Sequence, residues 1–168
     1  MSELIRVKMV GEEIILQPHG LWVGCGDMFR RAIDAAKIVI ATTDMRFSFV
    51  DVVKRDAVKQ QPPDGCEFFN LSRQEELCRL YRYVMERPVT HIFIANLPPQ
   101  HLMTAGIVGG MCPLAKIIIA KPLDTNLQLI KALASGKIWP GLTERIFLHD
   151  HYRNKGAAEP IYCCLPNL

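Results

Sequence analysis

The chain is expected to fold as an α/β domain built on a doubly wound, mainly parallel sheet, preceded by an N-terminal β-hairpin. Five short apolar runs carry most of that expectation: Leu21–Val23, Ile38–Ala41, Ile92–Ala95, Ile117–Ala120 and Ile146–Leu148. Several are continuous rather than alternating, which suits strands buried on both faces of a parallel sheet. Helical patterns lie between them, and strands alternating with helices imply right-handed crossovers within one sheet. The length of 168 residues, 49% of them hydrophobic and 22% charged, is enough for one domain with a real core.

Taken in order, LIRVKMVGEEIILQ reads as a hairpin turning at Gly11, so residues 1–20 form an extension and 21–168 the domain proper. Leu21–Val23 is the first core strand. A glycine turn and a helical stretch, GCGDMFRRAI, follow it, and KIVIATTD is read as the second strand. DAVKQQPPDG is the one loop-like insertion. In SRQEELCRLYRYVMERP, Ser72 and Glu75 form a capping box; Leu77, Leu80, Tyr81 and Val84 make one apolar face, and Pro88 stops the helix. A second helix is expected after Pro98-Pro99, carrying Leu102, Ala105 and Ile107. A third starts near Asp124 or Thr125, carries Leu127, Leu129, Ile130 and Leu133, and ends at Gly136. There is no internal repeat and no low-complexity segment.

Composition excludes several function classes. A formal net charge of +3, with scattered lysines and arginines and no basic block, argues against nucleic acid as a partner. MSELIRVKMVGEEIILQ carries charges every few residues, so it does not read as a secretory signal. No apolar run approaches the roughly 20 residues needed to span a bilayer, so no membrane is expected. The six cysteines match neither a zinc spacing nor a disulfide framework, and no metal is expected. Free thiols in a reducing cytoplasm are the expectation.

LWVGCGDMFRRAI has the order strand, glycine turn, helix. Gly24 and Gly26 would let the backbone approach a pyrophosphate, with the helix N-terminus supplying free N–H groups. Phe29 stands where the third glycine of G-x-G-x-x-G belongs, so an ordinary strand-to-helix turn is the competing reading. Asp44 follows Gly26 by about 18 residues, near where a dinucleotide site places an acid on the ribose. A turn cap before Arg46 is the alternative for Asp44.

The last strand runs into HDHYRNKG, which puts an acid, two imidazoles, a phenol and an amine at one strand end. With it, the pieces resemble the N-terminal coenzyme domain of glucose-6-phosphate dehydrogenase, a Rossmann-like fold. Gly26-Asp27-Met28 with Arg30-Arg31 looks like that family's G-A-S-G-D-L turn and the basic residues after it. Leu97-Pro98-Pro99 matches its L-P-P, and Ala120-Lys121-Pro122 matches its E-K-P loosely. Asp150, His151, Tyr152 and Lys155 match its D-H-Y-L-G-K, with Arg153 and Asn154 in place of the middle pair. The order holds from about Leu21 to Lys155.

The resemblance implies roles. Gly24, Gly26, Asp27, Met28, Thr42, Asp44, Leu97 and Pro98 would line the dinucleotide. His151, Tyr152 and Lys155 would bind the phosphate of a sugar phosphate, and Lys121 a substrate hydroxyl. A dianion asks for cationic and hydroxyl donors. Asp150 would orient the catalytic base, as a general base requires.

Three departures qualify it. The family's base is a histidine in a second, sheet-rich domain that has no counterpart in these 168 residues, so the centre is expected to be half built. Thr42-Thr43-Asp44 occupies the place of an arginine that pairs with a 2′-phosphate, which favours NAD over NADP. Ala120 replaces the glutamate of E-K-P. The expected function is therefore an NAD(P)-binding domain, part of or derived from an oxidoreductase on a sugar phosphate and incomplete as a catalyst alone. The alternative is a non-catalytic relative that binds a nucleotide, a phosphate ligand or a protein. An isolated copy is expected to cover its apolar surface by dimerising or with a partner subunit.

Overall fold

A computed structural model describes residues 5–9, 12–16, 18–24, 46–52, 65–94, 98–120, 127–149, 159–161 and 163. Two short strands come first: β1 (Ile5–Met9) pairs antiparallel with β2 (Glu12–Leu16), Ile5 opposite Leu16, as a sheet of their own. The main sheet begins with β3 (His19–Val23) and takes in β4 (Arg46–Asp51), β5 (Glu67–Phe68), β6 (His91–Ile94), β7 (Lys116–Ile119), β8 (Ile146–Leu148) and β9 (Glu159–Pro160). Helices α1 (Gln74–Met85), α2 (Pro99–Met111) and α3 (Leu127–Ala134) lie between strands.

The sheet order is β5-β4-β3-β6-β7-β8-β9. All pairings are parallel except the last, in which β9 lies antiparallel to β8. Counted along the chain from β3, the six parallel strands stand in the order 3-2-1-4-5-6. The chain thus builds outward from β3 in one direction and restarts at β6 on its other side. The molecule is an α/β protein with a mostly parallel seven-stranded sheet.

Alternation along each strand sorts the side chains into two faces. Leu21, Val23, Val50, Ile92, Ile94, Ile117, Ile119, Ile146 and Leu148 share one cluster with Leu80 and Val84 of α1, Ala105 and Val108 of α2, and Ile130 and Leu133 of α3. All three described helices therefore pack on the same face. The opposite face is aromatic: Trp22, Phe93 and Ile118 are buried there, with Phe47, Phe49 and Phe147 packed against them. Trp22 stacks on Phe93 at a centroid distance of 5.0 Å. Continuous apolar strands are what a sheet buried on both faces demands.

Three expectations are revised. The second place in the order belongs to Arg46–Asp51, because β4 and β6 occupy both sides of β3; the Ile38–Ala41 run lies outside the described residues. RFSFVD alternates, Phe47 and Phe49 to the aromatic face and Val50 to the helical one, so it lacks the continuous apolar signature. The Ser72–Glu75 capping box does not form. Arg73 is the N-cap, without a side-chain bond, and the Ser72 hydroxyl donates to the Asn70 carboxamide oxygen at 2.6 Å. The apolar face of α1 also splits: Leu80 and Val84 are buried, while Leu77 and Tyr81 are exposed.

The other two helices start and stop for readable reasons. Pro99 sits at the first turn of α2, where its missing N–H costs nothing. After α3, Gly136 takes φ +72°, and the chain reverses through Lys137 N–H to Ala132 O at 3.0 Å. Among the described residues no helix is long and apolar enough to cross a membrane.

Candidate functional site

The carboxyl ends of β3, β4 and β6 meet the first turn of α2 where the strand order reverses. Open α/β sheets bind ligands at such an edge, because connections that diverge to either side leave a crevice. Gly24 closes β3 with φ +91° and donates its N–H to Val50 O at 2.9 Å. A Cβ there would stand 2.5 Å from Cε1 and 2.6 Å from Nδ1 of His101. Two independent conditions, the left-handed backbone and the imidazole beside it, therefore require glycine at this position.

His101 comes from the first turn of α2, and its N–H donates to Pro98 O at 3.0 Å. Its Nε2 lies 3.0 Å from Asp51 Oδ1. Asp51, the last residue of β4, is fully buried, and His101 is only 6% exposed. The same Asp51 oxygen accepts the Val52 N–H at 2.7 Å, and the Asp51 carbonyl accepts the Phe69 N–H at 2.9 Å. In the neutral ring, an Asp51 carboxylate that accepts the Nε2–H hydrogen bond leaves the lone pair on Nδ1. That Nδ1 is buried and has no hydrogen-bond partner among the described residues. An imidazole oriented by a carboxylate is the arrangement a general base requires, although here the ring lies against Gly24 rather than open to a ligand.

Gly24 and Pro98 are the two residues of the expected site that the structure describes. Pro98 caps α2 in an extended conformation, and its carbonyl accepts from His101 and Leu102. Gly26, Asp27, Met28, Thr42, Asp44, Leu97, Lys121, Asp150, His151, Tyr152 and Lys155 lie outside the described residues. Their neighbours are in place. Ile119 pairs with Leu148, and the next residue on each strand, Ala120 and His149, is held by Ala120 N–H to Ile94 O at 3.0 Å and His149 N–H to Ile119 O at 2.8 Å. The chain thus departs toward Lys121 and toward Asp150 from adjacent strands at one edge.

Sequence reasoning missed Asp51 and His101. Asp51 ends a strand whose alternation leaves no continuous apolar run, and His101 reads as an ordinary helical residue two positions after a Pro-Pro pair. A polar residue at the end of a strand and a histidine in a helix's first turn are the only signals either leaves.

A second polar cluster sits at the amino edge. His19 Nε2 is 2.9 Å from Ser48 Oγ, and Thr90 Oγ1 is 2.9 Å from His91 Nδ1. The His19 N–H donates to Thr90 Oγ1 at 2.8 Å. Burial, with the Lys116 charge second, pushes the His91 imidazole down to about 4. Burial, then Arg87 and Arg46, lowers His19 as well. Both rings are thereby held neutral, which suits a packed and hydrogen-bonded support for the start of the sheet. Among the described residues no group of three or more His, Cys, Asp or Glu side chains is placed to hold a metal. No family model, curated protein or solved structure matches the chain.

Proposed function

We propose that the chain is a Rossmann-like dinucleotide-binding domain, related to the coenzyme domain of glucose-6-phosphate dehydrogenase and part of, or derived from, an NAD(P)-dependent oxidoreductase acting on a sugar phosphate. The observation that carries this is the strand order 3-2-1-4-5-6, with a positive-φ glycine, Gly24, closing the first strand beside the reversal. In this reading Gly24, Gly26, Asp27 and Met28 approach the pyrophosphate, and Leu97-Pro98 lies along the dinucleotide. Thr42 and Asp44 precede Arg46, where the second parallel strand starts, so the acid at its carboxyl end is Asp51, and an acid at that end favours the free diol of NAD. Lys121, His151, Tyr152 and Lys155 take the phosphate and hydroxyls of the sugar, with Asp150 orienting a base that a partner domain supplies. The departure of residues 120 and 149 from neighbouring strands supports that convergence.

Titration calorimetry with NAD and NADP tests the reading. Saturable heat with NAD, weaker with NADP, is expected, together with no glucose 6-phosphate oxidation by this chain alone. No saturable heat with either coenzyme removes the dinucleotide role.

One observation favours a second reading, a non-catalytic protein that keeps the fold. The ring of His101 packs against Gly24, and the Asp51 carboxylate at the end of the second parallel strand is already bonded to His101. A side-chain pair then occupies ground that a coenzyme site leaves for its ligand.

A further inference from the structure

Helix α1 carries two apolar stripes, and the core uses only one of them. Leu80 and Val84 are buried. On the outward side Tyr81 is 54% and Met85 58% exposed, Cys78 is exposed, and Leu77 is 39% exposed. Gln74, Cys78, Tyr81 and Met85 follow one another at spacings of four, three and four residues. That is the seam of a helix that packs along another helix. Large apolar side chains exposed singly on a surface are ordinary; three exposed side chains in register along one helix, at Cys78, Tyr81 and Met85, are a patch. Met103 of α2, which packs against α1, is also 48% exposed.

Charge selects the occupant. Glu75 and Arg82 flank the seam one heptad apart, on the same side, and among the described residues neither side chain makes a hydrogen bond or an ion pair. Arg79 is occupied elsewhere, with Glu67 and Glu76. An acid at the start of the seam and a base at its end are complementary to the same helix running the other way. A twofold axis across α1 sets Glu75 of each copy toward Arg82 of the other. It also opposes the two helix dipoles favourably. Flanking charges of this kind choose partner and orientation in helix pairs.

We propose that the outward face of α1 is a self-association surface, on which a second copy of this chain packs its own α1 antiparallel through Cys78, Tyr81 and Met85, with reciprocal Glu75–Arg82 ion pairs. The midpoint between Glu75 and Arg82 falls half a residue from Cys78, about 0.8 Å along the helix axis at the usual rise. Cys78 therefore lies beside the axis and close to its own symmetry mate. This surface is on the helical side of the sheet and does not depend on any ligand at the carboxyl edge.

Sedimentation velocity of the full chain over a concentration series gives the test. A concentration-dependent dimer is expected, and Tyr81→Glu converts it to monomer while circular dichroism stays unchanged. Glu75→Arg and Arg82→Glu are each monomeric alone, because the flanking charges then repel. Mixing the two restores a dimer, since every pair across the axis is again of opposite sign. In a variant whose other cysteines are serine, a short bifunctional maleimide links two chains through Cys78. A wild-type chain that stays monomeric at high micromolar concentration overturns the proposal. So does a dimer that survives Tyr81→Glu and ignores both charge reversals.

Discussion

His101 Nε2 stands 3.0 Å from Asp51 Oδ1, and this bond ties the end of β4 to the first turn of α2 across the end of β3. Both partners are buried, so the pair is formed at the expense of water on either side. Asp51→Ala removes the acceptor for His101 and for the Val52 N–H together. Leaving sheltered donors unmet costs about 1–3 kcal/mol each, so a total loss of about 2–6 kcal/mol is expected. Asp51→Asn keeps an oxygen and should cost about 1 kcal/mol. Urea unfolding of the three proteins gives the comparison, and equal midpoints for all three would show that the bond is inert.

Gly24 depends on the same histidine. Gly24→Ala meets both the left-handed backbone and the His101 ring, and a loss of about 2–4 kcal/mol is expected from the two together. In a His101→Ala background the steric part vanishes, leaving about 1–2 kcal/mol for the backbone alone. A double-mutant cycle measures the difference. A coupling energy near zero would place the ring elsewhere in solution.

Much of this architecture was legible because burial on both faces leaves a plain trace. Ile92–Ile94, Ile117–Ile119 and Ile146–Leu148 are continuous apolar runs, and each lies in a strand of the sheet. Arg46–Asp51 was not legible, since its phenylalanines alternate with Ser48 and Val50 and it begins on an exposed arginine. Strand β9 is two residues long and includes a proline, too little for any periodicity. The split of α1 was hidden for another reason. Helical spacing shows that Leu77, Leu80, Tyr81 and Val84 share a side, but not how far round the core reaches. At the site, motif matching led to the carboxyl edge of the sheet, where Gly24 ends β3 and Pro98 caps α2. It could not find Asp51 and His101, which are fifty residues apart and joined only by the fold.

Acid should destabilise the protein through the amino edge. Burial and the nearby Lys116 charge hold His91 down at about 4, against an ordinary value of 6.5. Between those values the unfolded chain binds a proton that the folded one refuses. Stability is therefore intact above the unfolded value and falls as pH drops from about 6.5 toward 4, by at most about 3 kcal/mol for this ring. His19, lowered in the same direction, adds to the trend. Urea midpoints at several pH values in this window should fall steadily with acid. His91→Gln, which cannot titrate, should flatten the curve, and an unchanged slope would assign the acid sensitivity to other groups.

The last prediction concerns Arg145, whose guanidinium donates to three carbonyls at once. They are Gly109 O at 2.8 Å, Cys112 O at 2.8 Å and Ala115 O at 2.9 Å. Gly109 and Cys112 end α2, where carbonyls lack intrahelical partners and carry the negative end of the helix dipole. Ala115 leads into β7. One planar fork therefore caps a helix and fixes the entry to the next strand, from the turn that precedes β8. Arg145→Met keeps most of the stem but none of the donors, and a loss of about 2–3 kcal/mol is expected. Arg145→Lys keeps the charge, but a single ammonium cannot match a fork spread over three oxygens, so about half of that loss should remain. Hydrogen exchange provides the local readout. Protection should fall first at the Cys112 and Ala115 amides, which bond to Val108 O and Cys112 O in this turn, and only later in β3 and β6. A uniform loss across the sheet would mean that the clamp acts on global stability alone and does not hold this corner in place.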